Sequence, residues 1–239
     1  MQATDFLQLT GHPLRWNLLS ELARSDRTVA ELTGLVDEKQ NLVSYHLGKL
    51  RDAGLVVARR SSADGRDTYY AADLPRFATL LSATAGALHP GLGVPPTPAG
   101  QRSRRRRKTK VLFACTGNSA RSQMAAALLN ARAGDVAEAV SAGSHPKVLH
   151  PLAVEVLRDD YGIDISKNKT TALDAYAAKH FDWVITLCDK VREVCPEFDS
   201  ARPVHWSIAD PAQGDRAAFE QLAAELESRI GFLLAVLND

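Results

Sequence analysis

Residues 110–133 combine an apolar run, a short polar loop and a helix start, and this combination limits the fold more than any other part of the chain. Residues 110–114 predict a buried parallel strand, and Arg121–Ala133 predicts a helix with its larger apolar side chains on one face. A loop between a buried strand and a helix N-terminus collects backbone N–H groups and the positive end of the helix dipole at one point. The sequence therefore predicts an α/β domain with an anion-binding loop.

The loop has the sequence CTGNSARS over residues 115–122, with a thiol at its start and a guanidinium near its end. Arg121 can hold a tetrahedral oxyanion by two parallel hydrogen bonds, and the same positive potential favours the thiolate form of Cys115. A thiolate facing a bound oxyanion is a nucleophile aimed at its central atom. Gly117 and Asn118 can each tolerate a positive φ. The expected oxyanion-binding residues are Thr116, Gly117, Asn118, Ser119, Ala120, Arg121 and Ser122, with the Ser122 hydroxyl beside the sulfur.

A Pro/Gly-rich stretch and a basic run separate this region from the first part of the chain. Residues 89–100 contain too much Pro and Gly for a helix or strand, and residues 102–108 carry six basic side chains. The run gives residues 1–109 a net charge of +6, against −5 for residues 110–239. It is either a solvated spacer or a source of sequence-independent phosphate contacts. We predict a first domain at 1–88, a linker at 89–109 and a second domain at 110–239.

The cysteines and the apolar runs indicate where the protein works. The three cysteines, Cys115, Cys188 and Cys195, all lie in the second half, and an odd number indicates working thiols rather than structural disulfides. No apolar run reaches the ~18 residues that span a bilayer, and the N-terminus lacks the features of a signal peptide. We therefore expect a cytoplasmic protein with no membrane partner.

The first 88 residues have the pattern helix, short helix, helix and hairpin, which is typical of a winged helix-turn-helix. Thr28 is the predicted N-cap of the second helix, and Gly54 ends the third. In the third helix Leu42, Val43, Leu47 and Leu50 are expected to face inward. The candidate DNA-binding residues on its other side are Asn41, Ser44, Tyr45, His46 and Lys49. The alternative is that these polar groups form an ordinary solvated face.

The segments TVAELTGLV, NLVSYHLGKLRDAGLVVARR and DGRDTYYAA resemble the arsenical-repressor (ArsR-type) winged-helix family over about residues 6–88. The resemblance implies a homodimer on palindromic double-stranded operator DNA, with the third helix in the major groove. It places the hairpin residues Arg59, Arg60 and Arg66 on phosphates. The helix on the dimer side would carry Leu74, Phe77, Leu80, Leu81, Ala85 and Leu88. The arsenic sensors of this family bind arsenite through cysteines, but residues 1–109 contain none, so the inducer stays open.

Strand and helix patterns alternate in the second domain. Strands are predicted at residues 137–141 and 183–187, and helices at Pro151–Tyr161 and 215–237. This alternation predicts a parallel sheet covered on both faces, with the site at the carboxyl ends of the strands. Cys115 and Cys188 each stand at such an end.

The segments VLFACTGNSARSQMA, SAG, GIDIS, VITLCDKVREVCP and HWSIADPA resemble the arsenate reductases built on the low-molecular-weight tyrosine phosphatase fold, over about residues 110–239. The resemblance implies that Asp210 is the general acid. It also implies a relay in which Cys115 attacks arsenate, Cys188 attacks Cys115 with release of arsenite, and Cys195 attacks Cys188. An external thiol reductant, expected to be thioredoxin, would reduce the Cys188–Cys195 disulfide. The segment between these two cysteines should refold during the exchange.

We expect no tightly bound cofactor and no metal site. Potassium activation is in doubt, because Ala126 stands where many thioredoxin-linked relatives have a glutamate. Two other functions stay open: a tyrosine phosphatase, and a regulator whose second domain only senses. Against the phosphatase, Ala212 and Gln213 follow Asp210-Pro211 where tyrosine phosphatases of this fold carry aromatic side chains. The linker indicates tethering without fixed geometry, so co-localisation and allostery both remain open.

Overall fold

The computed structural model describes residues 1–63, 65–92 and 107–237, and the chain divides into two compact units, residues 1–101 and 102–239. Each unit has a hydrophobic core of its own. Asp64 of the hairpin turn lies outside the described residues, as does most of the predicted linker, including Arg102, Arg104, Arg105 and Arg106 of the basic run. Within the described ranges, the helices are too short or too polar to cross a bilayer.

The first unit is a helical domain with a small antiparallel sheet of strand order β1-β3-β2. Its elements are α1 (Ala3–Thr10), α2 (Pro13–Leu22), β1 (Arg27–Thr28), α3 (Val29–Val36), α4 (Gln40–Asp52), β2 (Val56–Arg60), β3 (Thr68–Ala72) and α5 (Leu74–Leu88). The predicted succession of helices followed by a hairpin is confirmed. Helix α1 was not predicted.

Local signals in the sequence explain where α3 and α4 begin and end. Thr28 and Glu31 form a reciprocal capping box: the Glu31 N–H donates to Thr28 Oγ1 at 3.3 Å, and the Thr28 N–H donates to Glu31 Oε2 at 2.8 Å. Asp37 takes a left-handed φ of 52° after α3. Gly54 has a φ of 69° after α4, as a helix-ending glycine does. These signals fix the turn between the two helices.

One part of the inward face predicted for α4 was wrong. The buried residues of this helix are Val43, His46, Leu47 and Leu50, whereas Leu42 is 39% exposed. Residues three and four positions apart share a helix face, so Val43, His46, Leu47 and Leu50 form one stripe and Leu42 falls outside it. The sequence pattern is compatible with a stripe that includes Leu42 and with the stripe that includes His46. Packing against Leu18 and Leu32 selects the second.

The second unit has a parallel sheet of strand order β5-β4-β6-β7. Its elements are β4 (Thr109–Cys115), α6 (Arg121–Ala133), β5 (Ala137–Gly143), α7 (Pro151–Tyr161), β6 (Trp183–Thr186), α8 (Asp189–Val194), β7 (Arg202–His205) and α9 (Arg216–Leu237). The predicted parallel α/β fold is confirmed. Strand β7 was missed because it is short and contains Pro203, which an edge strand tolerates.

Strand β4 is covered on both sides. Residues 111–115 are at most 2% exposed, and successive strand residues point to opposite faces, so both faces of the sheet are buried here. The chain leaves β4 toward β5 at one edge and later returns to β6 on the other side of β4. Such a reversal of direction opens a crevice at the carboxyl ends of the central strands. The loop after β4 and the start of α8 lie at this edge.

Candidate active site and nucleic-acid interface

The loop after β4 has its carbonyl groups turned away from its centre. The carbonyl oxygens of Cys115, Thr116, Gly117 and Ser119 accept hydrogen bonds of 2.8–3.3 Å from backbone N–H groups of the segment 144–150. In a planar trans peptide the C=O and N–H groups point in opposite directions. The N–H groups that follow these carbonyls therefore face the loop interior, where the N–H of Asn118 donates to Cys115 Sγ at 3.2 Å. The loop therefore turns several N–H groups toward its interior, and one of them contacts the thiol.

The Cys115 thiol is buried beside a hydroxyl group and a backbone N–H. Cys115 is 2% exposed, and its Sγ lies 3.0 Å from the hydroxyl oxygen of Ser122, which is fully buried. Of the two candidates for a positive φ, Asn118 takes it, at 47°. The Asn118 amide donates to Ser122 and to Ser141, each at 2.9 Å. Its side chain thus holds the loop in a conformation that costs backbone energy.

Several supporting residues were not found from the sequence. Asn118 Oδ1 accepts from the Thr171 N–H at 2.7 Å and from Gln123 Nε2 at 3.3 Å. Gly143, at the end of β5, is so close to the loop that a methyl group there would lie 2.7 Å from the carbonyl oxygen of Thr116. The glycine of the SAG motif was the signal that could have indicated this approach.

Arg121 and Asp210 meet at the mouth of the loop. Arg121 is 6% exposed and donates from Nη1 to the carbonyl oxygen of Ile208 at 3.0 Å and from Nη2 to Asp210 Oδ2 at 2.8 Å. The Asp210 carboxylate also accepts from the Ala212 N–H at 3.1 Å and is more than half exposed. The guanidinium is thus fixed by the segment after β7, with a carboxyl group in contact with it.

The two other cysteines differ in their surroundings. Cys188 is 2% exposed, and its Sγ lies 3.2 Å from the hydroxyl oxygen of Thr116 in the anion loop. Cys195 follows α8 and is partly exposed, and desolvation by burial raises the pKa of its thiol to about 11. The structure therefore brings Cys188 to the loop, whereas Cys195 sits at the far end of a helix with a thiol that stays protonated near neutral pH.

Most of the predicted DNA-binding residues are accessible. Asn41, Ser44, Tyr45 and Lys49 are exposed on α4, and the Lys49 ammonium lies 5.5 Å from the centre of the Tyr45 ring. On the hairpin Arg60 and Arg66 are exposed, and Arg59 is partly exposed. Their contact with DNA stays a prediction.

His46 was wrongly placed on the exposed side of α4. It is 5% exposed, and its ring centre lies 4.4 Å from that of His12 and 5.1 Å from that of Tyr45. Burial lowers its pKa, and the neighbouring His12 and Arg15 lower it further. His46 lies on the inward stripe of the helix, so its ring packs against the Tyr45 ring instead of pointing into solvent.

Both units match known families. The family described as low molecular weight phosphotyrosine protein phosphatase matches residues 110–239, and the bacterial regulatory protein, arsR family, matches residues 12–57. The chain is 35% identical over 130 residues to an arsenate reductase of Halalkalibacterium halodurans, covering 52% of this chain and 93% of that protein. An arsenate reductase of Brevibacillus brevis is 35% identical over 124 residues, covering 52% of this chain and 92% of that protein. A solved structure described as an arsenate reductase in the phosphate binding state has 28% identity and a TM-score of 0.50, covering 54% of this chain and 98% of its own.

Proposed function

Since the chain belongs to the low molecular weight phosphotyrosine protein phosphatase family through residues 110–239, we propose that its second domain reduces arsenate to arsenite by a three-cysteine relay. We further propose that its first domain binds operator DNA as a homodimer, so that one chain joins a regulator of arsenic resistance to the enzyme. The family match supports the oxyanion site, and the relatives named arsenate reductase support the choice of arsenate.

One observation carries the reductase over the phosphatase. A phosphatase of this fold needs a nucleophilic thiol, an arginine and an acid, which Cys115, Arg121 and Asp210 supply. It has no use for a second buried thiol at the anion loop. Cys188 stands there, within hydrogen-bond distance of Thr116. A second thiol at the loop that begins with Cys115 is what a two-electron reduction requires.

In the proposed steps, two thiols supply the two electrons that reduce arsenate, and they end as a disulfide. The Cys115 thiolate attacks arsenic and displaces a hydroxide, which leaves as water after protonation from Asp210. The Cys188 thiolate then attacks the Cys115 sulfur; the As–S electron pair remains on arsenic, and arsenite departs. Cys195 gives up its thiol proton to solvent, attacks the Cys188 sulfur as a thiolate and releases the Cys115 thiolate. An external dithiol, for which we propose thioredoxin in the cytoplasm, reduces the Cys188–Cys195 disulfide.

The first domain supports the regulatory half of the proposal. Helix α4 presents an exposed row of hydrogen-bonding side chains beside a hairpin with arginines, which suits base contacts and phosphate contacts respectively. Helix α5 has no buried residue, and Leu81 and Leu88 on it are 50% and 82% exposed. A 15-residue helix with uncovered leucines suits a dimer interface.

The reductase is tested with the full chain, arsenate, thioredoxin, thioredoxin reductase and its nicotinamide reductant. We expect arsenite release, a Cys188–Cys195 disulfide by mass spectrometry, and a trapped Cys115–Cys188 disulfide in Cys195→Ser. A Cys115→Ser variant that still releases arsenite would refute the relay. The phosphatase would be favoured if the wild type released no arsenite and the Cys188→Ser variant still hydrolysed an aryl phosphate rapidly.

A further inference from the structure

A buried carboxylate follows directly after Cys188. Asp189 is 1% exposed, and its Oδ1 accepts a hydrogen bond from the Ser207 hydroxyl at 2.7 Å and lies 3.1 Å from Nε2 of His205. An ionised carboxylate only accepts, so Nε2 of His205 carries the proton in this contact. A charge this deeply buried persists only where it is paired and hydrogen-bonded.

The same network holds the chain on the other side of Cys188. Nδ1 of His205 lies 2.8 Å from the hydroxyl oxygen of Thr186, the last residue of β6. Residues at positions 186 and 189 are thus both joined to His205 on the neighbouring strand. Cys188, between them, has little freedom to leave the anion loop.

The network is also joined to the anion site. Ser207, which donates to Asp189, immediately precedes Ile208, whose carbonyl oxygen accepts from Arg121 at 3.0 Å. The start of α8 and the guanidinium are therefore held by two adjacent residues, Ser207 and Ile208. This arrangement keeps the Cys188 thiol in register with the arginine that fixes the oxyanion.

The other end of α8 is held far less firmly. Glu193 is exposed, Val194 is 58% exposed, and the chain after Cys195 has no regular structure until β7. A disulfide needs Cα atoms about 4.4–6.8 Å apart, whereas seven residues of helix span about 10.5 Å. One end of α8 must therefore move before Cys188 and Cys195 can bond.

We propose that Asp189, held by His205 and Ser207, is the fixed pivot of α8, so that Cys195 moves to Cys188 while Cys188 stays at the anion loop. The inference rests on the relay proposed above. Asp189 is a positioning residue in this scheme, because it acts on Cys188 by holding the start of α8 and takes no part in the bond changes. Without the pivot, either end of the helix could move, and Cys188 would lose its alignment with Cys115.

The test compares Asp189→Asn, which keeps the size of the side chain and removes its charge, with Glu193→Gln, the matched change on the exposed side of α8. Reduced full-length protein receives arsenate, a maleimide quenches the thiols at timed intervals, and peptide mass spectrometry quantifies each disulfide. We expect Asp189→Asn to form the Cys188–Cys195 disulfide at least about tenfold more slowly, since small misplacements of reacting groups cost that much or more. Glu193→Gln should match the wild type.

Two further measurements separate positioning from general damage. Phosphate should protect Cys115 from alkylation in Asp189→Asn as in the wild type, because the loop and Arg121 keep their own hydrogen bonds. Hydrogen exchange of the oxidised wild type should show lost protection near Cys195 and retained protection at residues 187–189, with both ends exposed in Asp189→Asn. Ser207→Ala removes the hydroxyl that donates to Asp189, and it should slow the same step if Asp189→Asn does not fold.

The outcomes distinguish the two proposals. A wild type that forms no disulfide with arsenate would refute the relay itself. A normal relay in the wild type with unchanged rates in Asp189→Asn, or in Ser207→Ala where Asp189→Asn does not fold, would overturn the pivot. Loss of protection at residues 187–189 with retained protection at Cys195 would overturn it as well.

Discussion

Replacing Gly143 by alanine should impair the anion loop much more than it impairs the fold. The added methyl group would lie 2.7 Å from the Thr116 carbonyl oxygen, 2.8 Å from the Asn118 nitrogen and 2.9 Å from Asn118 Cβ. Ordinary van der Waals contact begins near 3.4 Å, so the loop must retreat by up to about 0.7 Å. Two of these atoms are backbone, so rotation of a side chain cannot relieve the contact.

The size of the effect follows from that displacement. Overpacking at a buried position costs about 1–3 kcal/mol of stability. A shift of this size in a loop that must hold an oxyanion against Cys115 lowers kcat/KM for arsenate by about 10- to 100-fold. A native domain is stable by about 5–15 kcal/mol, so most of the protein stays folded and the loss of activity is the larger effect observed.

The assay is thioredoxin-coupled arsenate reduction beside thermal unfolding of the same preparations. Gly231→Ala is the matched control: the three atoms nearest to its methyl group would belong to the Arg132 side chain, at 3.6–3.9 Å, and it lies within α9 of the same domain. The control should keep full activity and gain slightly in stability, as alanine does in a helix. A Gly143→Ala enzyme with wild-type kcat/KM would refute the close-approach argument.

One alkylation measurement and three substitutions test other parts of the structure. Burial raises the pKa of the Cys195 thiol from 9.0 to about 11, so the contribution of the protonated thiol to the free energy of unfolding is present below pH 9 and lost as the pH rises through 11. Alkylation of Cys195 should therefore be slower in folded than in unfolded protein between pH 7 and 9. Equal rates would contradict this. Tyr45→Ala should weaken operator binding about tenfold in a mobility-shift assay without changing Tm. His46→Ala should instead lower the free energy of unfolding by about 1–3 kcal/mol, because it empties a buried site. Equal Tm values for the two variants would argue against the buried position of His46. Leu81→Glu should produce a monomer in sedimentation analysis by placing a charge in the α5 interface, and an intact dimer would remove α5 from that interface.

Much of the fold could be predicted because its signals are local. The strand before the loop, the helix Arg121–Ala133 and the helix Pro151–Tyr161 follow from apolar spacing, and the capping box at Thr28 follows from residue types three positions apart. Strand β7 and the inward stripe of α4 could not be predicted in the same way. A four-residue edge strand carries too short a pattern, and the α4 sequence fits two apolar stripes equally well until α2 and α3 cover one of them.

The sequence by itself determined the chemistry of the site: a thiol, a guanidinium and a glycine-containing loop lie within eight residues, and two further cysteines stand seven apart. Only the tertiary structure decided which distant groups meet them. It brought Gly143 against the loop, Asp210 to Arg121, Cys188 to Thr116, and Asp189 to His205 and Ser207. The physical reason is that short-range spacing encodes hydrogen bonding and periodicity along one element, whereas these pairs depend on strand order and on the burial that packing imposes.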